Sequence, residues 1–132
     1  MYPDRICFHN YFDEKMAHLI EAGSDIYLMP SRYEPCGLNQ IYSLRYGTIP
    51  IGFNTGGLAD TVEDWNGKKG NGFIFYKYTV KELINIVNKT IKVFNDKKTW
   101  YRIIKNAMNA DYSWSNSAQK YLNLYDKILK DN

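Results

Sequence analysis

Asp25-Ile26-Tyr27-Leu28-Met29-Pro30 is followed, after a polar loop and one helix, by Ile49-Pro50-Ile51-Gly52-Phe53, and these two runs decide the fold. Both are nearly continuous apolar segments of strand length, and runs that do not alternate suit a parallel sheet covered on both faces. The helix between them is expected from Leu38 to Tyr46, with Gly47 as its left-handed cap. Strand, helix and strand joined this tightly form the repeating unit of an α/β domain. Pro50 has no N–H to give to a ladder, which places it at the start of its strand or on an edge.

The alternation continues outward in both directions. Ile6-Cys7-Phe8 reads as a short strand, and Phe12, Met16, Leu19 and Ile20 have helical spacing ended by Gly23. Thr55-Gly56-Gly57 is a turn, with one or two helical turns expected from Leu58 to Trp65. Asn66 to Gly72 is a loop by composition, and Phe73-Ile74-Phe75 is a strand. Thr79 and Glu82 have capping-box spacing ahead of a stripe of Val80, Leu83, Ile84, Val87, Ile91 and Phe94. Trp100, Ile103, Ile104 and Ala107 mark the next helix. Ser113 caps a last one, whose inward side reads as Ala118, Tyr121, Leu122, Tyr125 and Ile128. The fold class is therefore α/β, a parallel sheet flanked by helices.

The chain has 132 residues, 45% hydrophobic and 23% charged, which suits one globular domain and excludes a disordered chain. No apolar run approaches the roughly 20 residues of a membrane span, and no signal-peptide pattern opens the chain. Cys7 and Cys36 make neither a disulfide framework nor a metal-ligand spacing, so a reducing compartment is the expectation. Residues 1–66 carry four basic and nine acidic groups, and residues 67–132 thirteen and five. The excess of lysine in the second half comes without a nucleic-acid motif and reads as decoration of exposed helix faces, with a polyanion-binding face as the alternative.

The chemistry concentrates in Pro30-Ser31-Arg32-Tyr33-Glu34-Pro35-Cys36-Gly37-Leu38-Asn39-Gln40. A strand ends, a loop with one base and one acid follows, and Pro35 and Gly37 turn into a helix. The helix N-terminus then faces the carboxyl ends of the strands, where open parallel sheets bind ligands. Free N–H groups of Gly37, Leu38 and Asn39, together with the helix dipole, make an anion site. Glu34 beside that site would repel a bare phosphate and would accept hydrogen bonds from neutral hydroxyls. A sugar phosphate or nucleotide sugar satisfies both. The plainer alternative has Glu34 stabilising the helix start and Pro35 and Gly37 serving only the turn. Asn54-Thr55-Gly56-Gly57-Leu58-Ala59-Asp60 repeats the arrangement, with two glycines that allow close backbone approach and Asp60 suited to a first helical turn. Arg32 reads as a buried ion-pair partner rather than the alternative, a phosphate ligand, and His18 as a packing or hydrogen-bonding residue. His9 is a possible crevice residue. Cys36 is either a thiol activated by the helix N-terminus or a small packing group.

The run from Met29 through Ile51, with Thr55-Gly56-Gly57-Leu58-Ala59-Asp60-Thr61-Val62, closely resembles bacterial glycogen synthases and plant starch synthases. Phe12-Asp13-Glu14, Ala17-His18, Ala22-Gly23-Ser24-Asp25, Gly70-Asn71-Gly72-Phe73 and Asp111-Tyr112-Ser113-Trp114-Ser115 extend the resemblance over nearly the whole chain. It implies the C-terminal, donor-binding half of a GT-B fold. Residues 1–112 would form a partial Rossmann-like nucleotide-sugar domain. Residues 113–132 would form a C-terminal helix packing back toward an N-terminal domain. It implies transfer of glucose from ADP-glucose to the non-reducing end of an α-1,4-glucan with retention, without metal or cofactor. Glu34 would contact the donor sugar. Cys36, Gly37, Leu38 and Asn39, with Gly56 and Gly57, would surround sugar and diphosphate. Phe12, which the residues alone suggest as core, would stack on adenine, with Tyr11 as the alternative. Tyr42 stands where the broader group often has a ribose-binding glutamate. The partners implied are ADP-glucose or ADP and a glucan acceptor, with no nucleic acid and no membrane. The location implied is the bacterial cytoplasm, or the plastid if the source is a plant. Without the acceptor domain and an Arg and Lys pair on an earlier loop, the 132 residues are expected to be inactive alone. The stripe of the last helix would be left partly exposed and able to drive self-association. A non-catalytic nucleotide or sugar-phosphate binding module of the same fold is the alternative.

Overall fold

The computed structural model describes residue 2 and residues 4–130. In chain order the elements are α1 (Glu14–Gly23), β1 (Ile26–Met29), α2 (Asn39–Tyr46), β2 (Ile49–Phe53), α3 (Gly56–Thr61), β3 (Phe73–Phe75), α4 (Val80–Phe94), α5 (Lys97–Met108) and α6 (Trp114–Lys130). The strands form one parallel sheet in the order β1-β2-β3, with Ile26 opposite Ile49 and Ile51 opposite Phe73. This is the expected α/β architecture.

Short polar side chains set the helix starts. Asp13 accepts from Met16 N at 2.9 Å, Asp96 from Thr99 N at 3.2 Å, and Ser113 Oγ from Asn116 N at 3.2 Å. Each satisfies one orphan amide of its first turn. Thr79 Oγ1 accepts from Glu82 N at 3.3 Å, but Thr79 N donates to Lys77 O, so only half of the capping box forms. Gly47 ends α2 at φ 84°, as a left-handed cap should.

Alternate residues of β3 face two cores. Phe73 and Phe75 join Ile49, Ile51, Ile86, Trp100, Ile103 and Ala107 in the larger one. Ile74 joins Met29, Leu58 and Val62 in the smaller one. Thr48, fully buried, pins the end of α1 to the start of β2 by donating from Oγ1 to the carbonyls of Glu21 and Ser24.

The structure corrects several expectations. Ile6 to Phe8 pair with no strand among the described residues and are exposed. Pro50 lies in the central strand, one residue before the β2–β3 register begins at Ile51, so its missing N–H costs no ladder bond there. β1 is an edge, and Leu28 is 47% exposed rather than covered. α3 stops at Thr61. Val62 is extended, Asp64 bridges to Gly72, and Trp65 N donates to Gly72 O at 2.9 Å. On α4 the buried residues are Ile86 and Thr90, while Val80, Ile84 and Ile91 face outward. α6 buries none of its residues, and Trp114 at its start is 90% exposed against 4% and 3% for Trp65 and Trp100. The inward side read for Ala118, Tyr121, Leu122, Tyr125 and Ile128 is therefore not buried by this chain.

Phe73→Ala is expected to cost about 3–5 kcal/mol in urea unfolding, and Val80→Ala less than about 0.5 kcal/mol. The opposite ranking would reject the packing of β3 and α4. Glu21 Oε2 is buried without a partner, and burial pushes the carboxyl above its ordinary 4.5, while His18 pulls it down. A folded-state pKa above the unfolded one gives stability that is complete below pH 4.5 and is lost as pH rises through the raised value. Glu21→Gln should therefore raise the melting temperature at about pH 7 and leave it nearly unchanged at about pH 4. Equal shifts at both values would contradict the assignment.

Candidate functional site

Because the strands are parallel, Met29, Phe53 and Phe75 end on one edge of the sheet. The loops that follow them meet there. Asn54 N donates to Phe75 O at 2.9 Å. Tyr78 Oη donates to Pro30 O at 2.9 Å, strapping the loop after β3 to the end of β1. A helix that leads into a strand runs against it, so the N-termini of α1, α2 and α3 point to this same edge.

The two glycine turns interlock. Gly57 N donates to Glu34 O at 2.9 Å. A Cβ on Gly56 (φ 40°) would run into the Glu34 carbonyl, and one on Gly57 into the Cys36 carbonyl. The close backbone approach these glycines permit is thus, in the first place, between two loops of this chain. Gln40, fully buried, donates from Nε2 to Cys36 O and Gly37 O, each at 2.9 Å, and to Thr61 Oγ1 at 3.3 Å. Thr61 Oγ1 in turn donates to Gly57 O.

α2 begins one residue later than expected, at Asn39, with Leu38 as its N-cap and Gly37 outside it at φ 69°. No side chain caps this first turn, and the first helical amide taken up by the backbone is Tyr42 N, on Leu38 O at 2.9 Å. The earlier amides make the positive end of a helix dipole. Glu34 is half-buried beside the turn, and its carboxylate has no hydrogen-bond or ion-pair partner among the described residues.

The remaining residues singled out in the sequence fall as follows. Cys36, Leu38 and Asn39 are exposed, and Asn39 Nδ2 donates to Tyr27 Oη at 3.2 Å. Tyr11 and Phe12 precede α1 and are 60% and 93% exposed, so Phe12 is not core. The Tyr11 ring meets that of His9 edge-on at 5.8 Å, and His9 Nε2 is 3.5 Å from Cys7 Sγ. His18 has the hydrogen-bonding role expected of it, with Nδ1 3.3 Å from Tyr46 Oη. Arg32 is exposed and makes no ion pair among the described residues, against the expectation of a buried partner. Among the described residues no group of three or more His, Cys, Asp and Glu could hold a metal ion.

Sequence reading missed Gln40, Thr61 and Tyr78. Gln40 was legible in principle, since a glutamine three and four residues after Gly37 and Cys36 can reach back to their carbonyls across one helical turn. A cleft of about 640 Å³ lies away from the strand-end edge, between the end of α3, the 68–71 loop and Asp111–Tyr112. An apolar hollow of about 190 Å³ under Tyr78, lined by Pro30, Phe75 and Leu83, lies at the strand ends.

Residues 1–110 match the profile of the family described as Glycosyl transferases group 1. The chain is 49% identical over 128 residues to the glycogen synthase of Koribacter versatilis, covering 96% of this chain and 26% of that protein. It is 50% identical over 131 residues to the glycogen synthase of Thermotoga petrophila, covering 97% and 27%. It thus spans about a quarter of the length of the curated relatives it matches. The catalytic domain of starch synthase IV from Arabidopsis thaliana, solved with ADP and acarbose, superposes with a TM-score of 0.79 at 36% identity, over 89% of this chain and 25% of that one.

Gly57→Ala forces the Glu34–Cys36 loop away from α3. It should destabilise the chain by more than about 2 kcal/mol in urea unfolding, while Gly23→Ala, where a Cβ meets nothing within 4 Å, should stay within about 1 kcal/mol. Similar values for both would mean that the two turns do not interlock.

Proposed function

Since the chain belongs to the glycosyl transferases group 1 family, we propose that it is the donor-binding domain of a retaining glucosyltransferase. That enzyme transfers glucose from ADP-glucose to the non-reducing end of an α-1,4-glucan. The observation that carries the reading is the uncapped start of α2 beside the unpaired Glu34 carboxylate. Amides that no side chain satisfies favour an anion, and a free carboxylate next to them selects for hydroxyls. A hexose attached to a diphosphate offers both. Identity near 50% to glycogen synthases and superposition on a starch synthase domain solved with ADP support adenine as the base and glucose as the sugar.

In this reading the amides around Cys36, Gly37, Leu38 and Asn39 face the diphosphate, and Glu34 accepts from glucose hydroxyls. The negative charge that grows on the departing diphosphate meets fixed donors that need no reorganisation. The chemistry asks for no metal. Phe12, fully available at the start of α1, stacks on adenine, with Tyr11 as the alternative. Gly56 and Gly57 contribute by holding the Glu34 loop against α3 and by leaving room at the second strand end. The acceptor glucan and the rest of the catalytic groups belong to the longer enzyme. α6, with no buried residue, packs toward another domain there, and in its absence it offers an apolar face for self-association. The setting is the cytoplasm of a bacterium, or a plastid if the source is a plant.

ADP should protect Cys36 from iodoacetamide and leave Cys7 reactive, both thiols being free and exposed. Equal protection of both, or of neither, would count against a nucleotide at the α2 turn. In a full-length enzyme carrying this domain, Glu34→Ala should lower kcat by about 10²-fold or more with folding intact. Unchanged turnover would leave a non-catalytic binding module as the better reading.

A further inference from the structure

We propose that Gln40 is a positioning residue that aims the amides of the Cys36–Leu38 turn into the crevice. The inference rests on the reading that those amides face a diphosphate. Gln40 is fully buried beneath the turn, and its two Nε2 hydrogens are shared among the carbonyls of Cys36 and Gly37, each at 2.9 Å, and the more distant Thr61 Oγ1 at 3.3 Å. A trans peptide points its C=O and the following N–H in opposite directions, and no peptide among the described residues is cis. Drawing the Cys36 and Gly37 carbonyls inward therefore turns the N–H groups of Gly37 and Leu38 outward.

Two further observations fix this arrangement. Gln40 Oε1 is buried with no partner. Flipping the amide to relieve it would set that oxygen against two carbonyls, so the donors decide the orientation. Gly37, at φ 69°, leaves the space that the Gln40 amide occupies, and a Cβ there would strike it. Thr61 carries the brace onward, accepting from Gln40 and donating to Gly57 O. Gln40 and Thr61 together thus tie the turn before α2 to the body of α3. A residue of this kind touches no ligand and acts on binding only through backbone direction.

The test compares the wild-type chain with Gln40→Met, which keeps the volume and removes the donors, and with Thr61→Ser, which keeps the hydroxyl. The probes are ADP and adenosine, titrated by NMR. Gln40→Met should weaken ADP about tenfold and leave adenosine unchanged, because only ADP reaches the turn, and Thr61→Ser should bind both as wild type. Wild-type affinity for ADP in Gln40→Met, or equal losses for ADP and adenosine, would overturn the proposal. In the free protein the ¹⁵N order parameters of Gly37 and Leu38 should fall from about 0.85 to below about 0.6 in Gln40→Met, with those of Ile51 and Phe73 unmoved. If they do not fall, the brace is refuted whether or not nucleotide binds. If wild type takes up no ADP while the order parameters fall as expected, the nucleotide reading fails and the brace survives.

Discussion

The hydrogen bond from Gly57 N to Glu34 O is the contact on which the strand-end architecture depends. It requires two backbones to touch with nothing between them, and only glycine at positions 56 and 57 allows it. From it follow the seat of the Glu34 loop against α3 and the place of the carboxylate beside α2. The parallel sheet supplies the larger frame, since it brings three strand ends and three helix starts to one edge. The loop after β1 is held from other sides as well, by Tyr78 through Pro30 O and by Gln40 through the carbonyls of Cys36 and Gly37.

Much of this was legible in the sequence, for identifiable reasons. The runs at 26–29, 49–53 and 73–75 have strand length between clear stop signals, and each became a strand with nearly the expected limits. Trp100, Ile103 and Ala107 have helical spacing and are all buried. Failures came where periodicity could not say what lies opposite a face. On α4 the stripe residues Leu83, Val87 and Phe94 do pack on the core with Ile86, but Val80, Ile84 and Ile91, which share the stripe by spacing, face outward. The whole of α6 shows the same limit, since an amphipathic pattern states that a face can be buried and not by what.

The candidate site was legible as a set of positions and less so as a mechanism. The turn at 34–39 and the glycines at 56 and 57 do come together. What the glycines approach first is the other loop, which no inspection of either motif alone could reveal. Arg32 reads as a buried ion-pair partner because the guanidinium is the cation best suited to such pairs. The structure leaves it in water, where no partner is needed. Gln40 shows in the sequence only as a spacing to Cys36 and Gly37, and its effect is felt through the carbonyls it holds.

The three tryptophans divide by environment in a way that has a practical consequence. Trp65 and Trp100 lie in the larger core, and Trp114 stands in solvent at the head of α6. Iodide in solution can therefore quench one indole and spare two. The red side of the emission spectrum reports on the surroundings of the last helix, while the blue side follows the integrity of the core. A single optical measurement can thus watch the helix find cover and the domain stay folded, each in its own band.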